Sequence, residues 1–317
     1  MFGKDFYLLA ENTFESCYFV SRFIEKFKHS RNFLGVLIAE DKPPESILQG
    51  RELFHSEYGS RKELNDEMEK EWLGLYPPLS ESSQSMIHLY GVPNFAVTHH
   101  PNTIFIGHNV NSKFAKNCLK DICIESTPWL VTYLPIILKS WWIEITKSRI
   151  LNCHSAVLPY ARGIHSIENI AALKDIDAFQ QAAGITIHHI DAGVDTGSII
   201  RAERIADPFR FNSIWELKAQ LYKTGIDWYI QTVRDILGSA DTIPAGIMPS
   251  PELRGLNYLC KHFTAEKRQQ AEEGYLWMKS QVKKDQGKHK TVGSVNSTGP
   301  SVSKKVLTTF RYNRIQT

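Results

Sequence analysis

Phe6-Tyr-Leu-Leu-Ala10, Thr13-Phe-Glu-Ser-Cys-Tyr-Phe-Val-Ser-Arg-Phe-Ile-Glu-Lys-Phe-Lys28 and Phe33-Leu-Gly-Val-Leu-Ile-Ala39 follow one another at the start of the chain. The first and last are short, unbroken apolar runs, the pattern of strands covered on both faces. The middle one is helical. Thr13 is placed to cap it, and Phe14, Cys17, Tyr18, Phe23 and Ile24 recur at helical spacing until about Lys28. A strand–helix–strand unit favours a parallel sheet, so the expected fold class is α/β, mostly parallel, with flanking helices. The loop Ala10 to Ser16 contains no glycine. A dinucleotide fingerprint or phosphate cradle is therefore not expected at this turn.

Outward from this unit the character changes. Residues 43–84 are charged and helix-prone, bounded by Pro43-Pro44 and Pro77-Pro78, and read as an inserted helical excursion. The core is expected to resume over Ser85 to Val97, with a helix over Ser112 to Asp121. Trp129 to Leu138 and Arg149 to His154 read as two more strands, separated by a short helix near Lys139 to Ile145. Gly184 to Ile190 alternates as a strand does, and Ile199 to Ile205 is a further candidate. Past Pro208 the pattern is helical, with Ile226, Tyr229, Ile230, Val233, Ile236 and Leu237 on one face. Thr264 opens a last helix through about Lys279. The expected organisation is a catalytic domain over 1–205 with the 43–84 insertion, a helical extension over 206–282, and a disordered basic tail over 283–317.

Composition narrows the class. The 317 residues are 42% hydrophobic and carry 37 basic against 34 acidic side chains. That excludes a disulfide miniprotein, a collagen-like fibre and a wholly disordered chain. Five cysteines, with no CxxC pair, fit a reducing compartment. No signal peptide is evident, and the longest apolar run, Trp129 to Leu138, is about half the roughly 20 residues of a membrane span. A cytoplasmic protein is expected. From Lys283 to Thr317 eight Lys or Arg stand against one acid, a net of +7, which leaves the first 282 residues at −4 when taken from +3. A slightly acidic body does not look like a nucleic-acid surface.

Chemistry concentrates in two places. Asn152 and His154 lie two apart at the end of an apolar run, so on a strand both emerge from one face. They sit at the carboxyl end, where open α/β sheets place ligands. Asp191-Ala-Gly-Val-Asp-Thr-Gly197 follows another strand, and its two glycines suit a tight loop that aims Asp195 inward. An amide donor, an imidazole and a carboxylate together suit attack on a carbonyl through a tetrahedral oxyanion, with no serine or cysteine nucleophile.

Ile150-Leu-Asn-Cys-His-Ser-Ala-Val-Leu-Pro-Tyr-Ala-Arg-Gly163 and Gly184-Ile-Thr-Ile-His-His-Ile-Asp-Ala-Gly-Val-Asp-Thr-Gly-Ser-Ile-Ile200 resemble two segments of the folate-dependent formyltransferases. That family includes methionyl-tRNA, phosphoribosylglycinamide and amino-sugar N-formyltransferases. The clear likeness covers roughly 129–205. It implies a Rossmann-like sheet, 10-formyltetrahydrofolate as formyl donor and a small-molecule amine as acceptor. The family's catalytic Asn, His and Asp fall on Asn152, His154 and Asp195. Its pterin cleft falls on Tyr133, Leu134, Pro135 and Ile136, with the backbone around Ile190, Asp191 and Val194 closing it. Arg162 and His165 are candidates for acceptor contact.

The departures point to the acceptor. Without a glycine-rich first loop, glycinamide ribonucleotide is disfavoured, and no second domain long enough for tRNA follows residue 205. An amino sugar or other small biosynthetic amine is the preferred acceptor. A formyltetrahydrofolate hydrolase and a catalytically silent folate-binding protein stay open. A metal-dependent hydrolase is disfavoured, because no HxH or HxxxH spacing occurs and adjacent histidines on a strand face opposite ways. Expected partners are the amine and, at most, a second copy in a homodimer; no metal, membrane or nucleic acid is expected.

Overall fold

All five residues of strand β1 (Phe6–Ala10) are buried, and they divide by parity. Phe6, Leu8 and Ala10 enter one core cluster, Tyr7 and Leu9 another on the opposite face. A strand covered on both sides explains its unbroken apolar sequence. The computed structural model describes residues 4–239 and 246–292. Helix α1 (Phe14–Phe27) follows, capped by the Thr13 hydroxyl, which accepts from Ser16 N at 3.3 Å, and β2 (Phe33–Ile38) returns parallel to β1.

Three helices come next: α2 (Glu45–Tyr58), α3 (Asp66–Leu75) and α4 (Glu81–Tyr90). The helical excursion thus runs on past residue 84. Ser80 and Ser83 form a capping box at the start of α4, and Met86 and Ile87 carry the apolar stretch into the core on a helix. The third parallel strand is β3 (Thr103–Phe105), only three residues long and too short to stand out in sequence. Helix α5 (Lys113–Ile122) leads to β4 (Trp129–Tyr133), which stops well before Leu138. Pro135 has no N–H for the ladder, so 134–138 leave the sheet as a loop.

Helix α6 (Ser140–Ile145) and β5 (Ile150–His154) follow, then β6 (Arg162–Gly163), α7 (Ser166–Ala171), α8 (Ile176–Ala182), β7 (Gly184–His189) and β8 (Ile199–Arg204). The seven strands order as β3-β2-β1-β4-β5-β7-β8. Pairs from β3 to β5 are parallel, while β5–β7 and β7–β8 are antiparallel. The order 3-2-1-4-5 reverses direction beside β1 and β4, the place where such sheets open a crevice at their carboxyl ends.

The long helix α9 (Ile214–Gly238) lies over the same face as α1. Its Gly225 lies so close to β5 that a methyl group there would meet Cys153 Sγ at 2.7 Å. Strand β9 (Asn257–Tyr258) pairs with β6, and α10 (Ala265–Val292) closes the described chain, its Thr264 hydroxyl accepting from Lys267 N at 3.2 Å. The chain divides at Lys279, and the second unit, from Ser280, is helical as far as Val292. The last helix therefore continues beyond the expected Lys279; the basic stretch from 293 lies outside the described residues.

The insertion belongs to the main core. Trp72 is 1% exposed, donates from Nε1 to the Pro77 carbonyl at 2.7 Å, and stacks on Tyr76 at 4.1 Å between centroids. It also meets Phe14 of α1 at 5.5 Å. Arg51, 2% exposed, grips Glu40 through both terminal nitrogens at 2.9 and 2.8 Å, and Glu40 accepts from Asn12 at 3.0 Å. These contacts tie the insertion to the loop after β1. Trp72→Ala is expected to destabilise the whole unit by about 3–5 kcal/mol, the usual cost of removing a buried large aromatic. Denaturant unfolding followed by tryptophan fluorescence and by circular dichroism would show one shifted, cooperative transition; two separate transitions would mean that the insertion folds apart from the sheet.

Candidate active site

Strand parity sends Leu151 and Cys153 of β5 toward α9 and turns Asn152 and His154 into a cavity of about 460 Å³. The antiparallel partner β7 sets His188 directly opposite Asn152. Past β7, Asp191 Oδ1 accepts from Gly193 N at 3.0 Å and from the Thr196 hydroxyl at 2.7 Å. That turn brings Asp195 inward at a φ of +50°. Asp195 Oδ2 accepts from Gly163 N at 2.7 Å, so the loop after β5 and the loop after β7 meet on one carboxylate.

The partners assign the imidazole protons. His154 Nε2 lies 2.8 Å from the Ala161 carbonyl, which can only accept. Nε2 therefore carries a hydrogen, and Nδ1, 3.6 Å from Asp195 Oδ2, is the nitrogen whose proton can come and go. His188 Nδ1 lies 2.8 Å from the His189 carbonyl and must donate. Its Nε2 then accepts from Asn152 Nδ2 at 3.2 Å, and lies 3.5 Å from Asp195 Oδ1. Asn152 is thereby oriented: its nitrogen turns to His188, its oxygen to the Thr132 hydroxyl at 3.4 Å, and its second N–H is left for the cavity it lines.

Burial alone would raise the Asp195 carboxyl. The charge of His154, foremost, with the hydrogen bond from Gly163 N, outweighs it and holds the group far below the usual carboxylate range.

Tyr133, Leu134, Pro135 and Ile136 line the cavity, as do Ile190, Asp191 and Val194. His165 also lines it, stacked on Phe263 at 4.1 Å and 14°. Arg162 is placed differently. Its guanidinium donates to the carbonyls of Gly255 and Val194, and it is absent from the lining.

Six residues in the lining have no signal in the sequence motifs. Lys218 of α9, 5% exposed, pairs with Glu168 of α7, which also accepts from His165 Nδ1 at 3.1 Å. Burial opposes both charges, but each outweighs that for the other: Glu168 is held low and Lys218 high. Beside Lys218 lies Tyr222. The lining also includes Glu11 and Glu15 from the loop after β1 and the start of α1, and Ser80 and Ser82 from the start of α4. Only contacts across 50 or more residues bring these together. His188 alone was within reach of reading, since it shares a strand face with Thr186.

Residues 124–233 match the family model for formyl transferase. The match spans about a third of the chain. It holds Tyr133, Asn152, His154, Asp195 and Lys218. Methionyl-tRNA formyltransferase of Dichelobacter nodosus is 30% identical over 105 residues, 33% of this chain and 31% of that protein. Phosphoribosylglycinamide formyltransferase of Bacillus subtilis is 29% identical over 96 residues, 30% of this chain and 46% of that protein. The chain thus matches less than half the length of either relative. A sugar N-formyltransferase structure from a Shewanella species superposes with a TM-score of 0.49 at 13% identity, covering 84% of this chain and 86% of that one. No helix among the described residues is long and apolar enough to cross a membrane.

A carboxyl held low in the folded state contributes stability that is present in full above its unfolded value and lost as the pH falls. For Asp195 the window opens downward from about pH 4. Between about pH 4 and pH 2 the unfolding free energy of the parent protein is expected to fall more steeply than that of Asp195→Asn. Denaturant titrations across that range check this; parallel slopes would mean that Asp195 is not held low.

Proposed function

We propose that the protein transfers a formyl group from 10-formyltetrahydrofolate to a primary amine of an amino sugar or another small biosynthetic metabolite. The observation that carries this reading is the meeting of Asn152, His154 and Asp195 on one cavity, inside the segment that matches the formyl transferases. The residues present suit such a donor. The flat, apolar face of Tyr133 to Ile136 and the backbone from Ile190 to Val194 offer a pterin both stacking surface and main-chain hydrogen bonds. When bound, the donor supplies an activated formyl group on a nitrogen able to leave.

The chain's own groups divide the work. Asn152 donates its free N–H to the formyl oxygen as that oxygen becomes anionic. His188 keeps the amide turned the right way. His154, through Nδ1, takes the proton the amine gives up. Asp195 stabilises the charge on the imidazole and helps return the proton to the departing nitrogen. The new bond joins the amine nitrogen to the formyl carbon as the bond from that carbon to the folate nitrogen breaks. On this reading residues 1–205 form the catalytic domain, and the 206–282 extension closes one wall through Lys218 and Tyr222.

Tetrahydrofolate release from 10-formyltetrahydrofolate, followed by absorbance with and without a panel of amines, tests the reading. Release that depends on an amine is expected; release without any amine would point to the hydrolase. Asn152→Ala, His154→Ala and Asp195→Ala are each expected to lower kcat by about 10²–10⁴-fold. Turnover within a few-fold of the parent in any one of them would remove that residue from the mechanism.

A further inference from the structure

The lining of the cavity draws on both faces of the sheet. Leu134, Ile136 and Ile190 pack on the cluster that holds Ile150, whereas Tyr222 of α9 packs on the cluster that holds Leu151. Lys218 stands one helical turn before Tyr222, and its partner Glu168 ties His165 to that second side. His165 is also near the chemistry. Gly163, whose amide holds Asp195, precedes it by two residues, at most about 7 Å along the chain. An amine reacting at His154 from the side of α9 therefore meets His165.

His165 is held from every direction but one. Its backbone is left-handed, with φ +55°, a region that costs an L residue energy. Its carbonyl accepts from Asn169 N at 2.9 Å and Asn169 Nδ2 at 2.8 Å, and Phe263 stacks on one face of the ring. Two groups approach Nδ1: Glu168 Oε1 at 3.1 Å and Lys218 Nζ at 3.5 Å. The nearer one is a carboxylate that can only accept, and a lone pair turned toward it would be repelled. Nδ1 therefore carries the hydrogen, and the neutral ring offers a lone pair at Nε2. That nitrogen has no partner among the described residues, and the side chain is still 28% exposed.

The buried pair behind the ring has a purpose that stability does not supply. Taking Lys218 and Glu168 out of water costs about as much as their attraction returns, so two apolar side chains would hold the helices together as well. What the pair does do is local. Burial works against the Glu168 charge, the Lys218 ammonium foremost keeps it ionised, and the ionised oxygen fixes which imidazole nitrogen bears the hydrogen.

We propose that His165 selects the amine by accepting, at Nε2, a hydrogen bond from one of its hydroxyl groups, with Glu168 and Lys218 as positioning residues that keep that nitrogen an acceptor. The substrate is then a hydroxylated amine. An ether oxygen or an apolar carbon in the same place has no hydrogen to donate and leaves Nε2 unpaired, which weakens binding. This rests on the formyl-transfer reading and names the group by which the site tells one amine from another.

The test uses three amines on a six-membered ring: D-glucosamine, its 1,3,4,6-tetra-O-methyl derivative, whose oxygens accept but do not donate, and cyclohexylamine. Each is titrated calorimetrically into the full-length chain saturated with 5-formyltetrahydrofolate. Glucosamine is expected to bind about tenfold tighter than either of the others, the scale of one hydrogen bond whose loss leaves a partner unpaired. His165→Ala is expected to remove most of that preference, and His165→Gln, whose amide oxygen can accept, to restore part of it. The double variant Glu168→Leu with Lys218→Met leaves no lone buried charge; it is expected to bind folate as the parent does and to lose the preference. Folate binding by each variant separates a lost contact from a lost fold. A preference equal in the parent and in His165→Ala would overturn the proposal. So would glucosamine binding no tighter than cyclohexylamine, or not at all with folate bound. A double variant that binds folate and keeps the full preference would remove Glu168 and Lys218 from it. A parent chain that binds no folate removes the formyl-transfer reading instead, whatever the amines do.

Discussion

A carboxylate taken almost out of water needs its charge matched, and Asp195 meets that need with the His154 imidazole and a backbone amide, in a pocket that the His188 ring closes. Its side chain is 13% exposed, between His154 at 9% and His188 at 2%. Each partner comes from a different element: His154 from β5, His188 from β7, and the Gly163 amide from β6. A carboxylate that paired less well would be protonated rather than charged. The sheet register between β5 and β7, the turn that carries Asp191 to Asp195, and the loop through Gly163 all have to agree for this one group to stay ionised. The order of the strands puts that agreement at the carboxyl end of the sheet, beside the crevice.

The fold was legible wherever burial leaves a periodic trace. The runs Phe6–Ala10 and Phe33–Ile38 are apolar without a break because helices cover both faces of their strands. Asn152 and His154 could be read as a pair because strand parity is a local rule. The same rule failed at Trp129 to Leu138, where apolar character continues but the strand does not; those residues line a cavity instead of a sheet. It missed β3 as well, since three residues at the edge of a sheet leave too little pattern.

The part of the lining built from helix ends was illegible for a different reason. Glu15 meets Ser80, Ser82 and Ser83 across 65 to 68 positions, and Lys218 meets Glu168 across 50. No spacing rule spans such distances. A carboxylate in the first turn of a helix reads as an ordinary favourable end charge. Its bonds to the serines appear only when α4 folds over it. The lining thus has two origins: strands with their loops, and helix ends that an insertion brings up.

The Lys218–Glu168 pair bears on the order in which the chain can be made. Glu168 is synthesised fifty residues ahead of the lysine that neutralises it. A nascent chain that has emerged only through β7 holds Asn152, His154 and His188, but has only His165 beside Glu168 and no α9 to cover Leu151 and Cys153. The cavity lacks two parts of its lining until α9 and then Tyr258 to Cys260 arrive. Vectorial synthesis therefore completes the cavity late, and arrest before residue 218 leaves the sheet without either part.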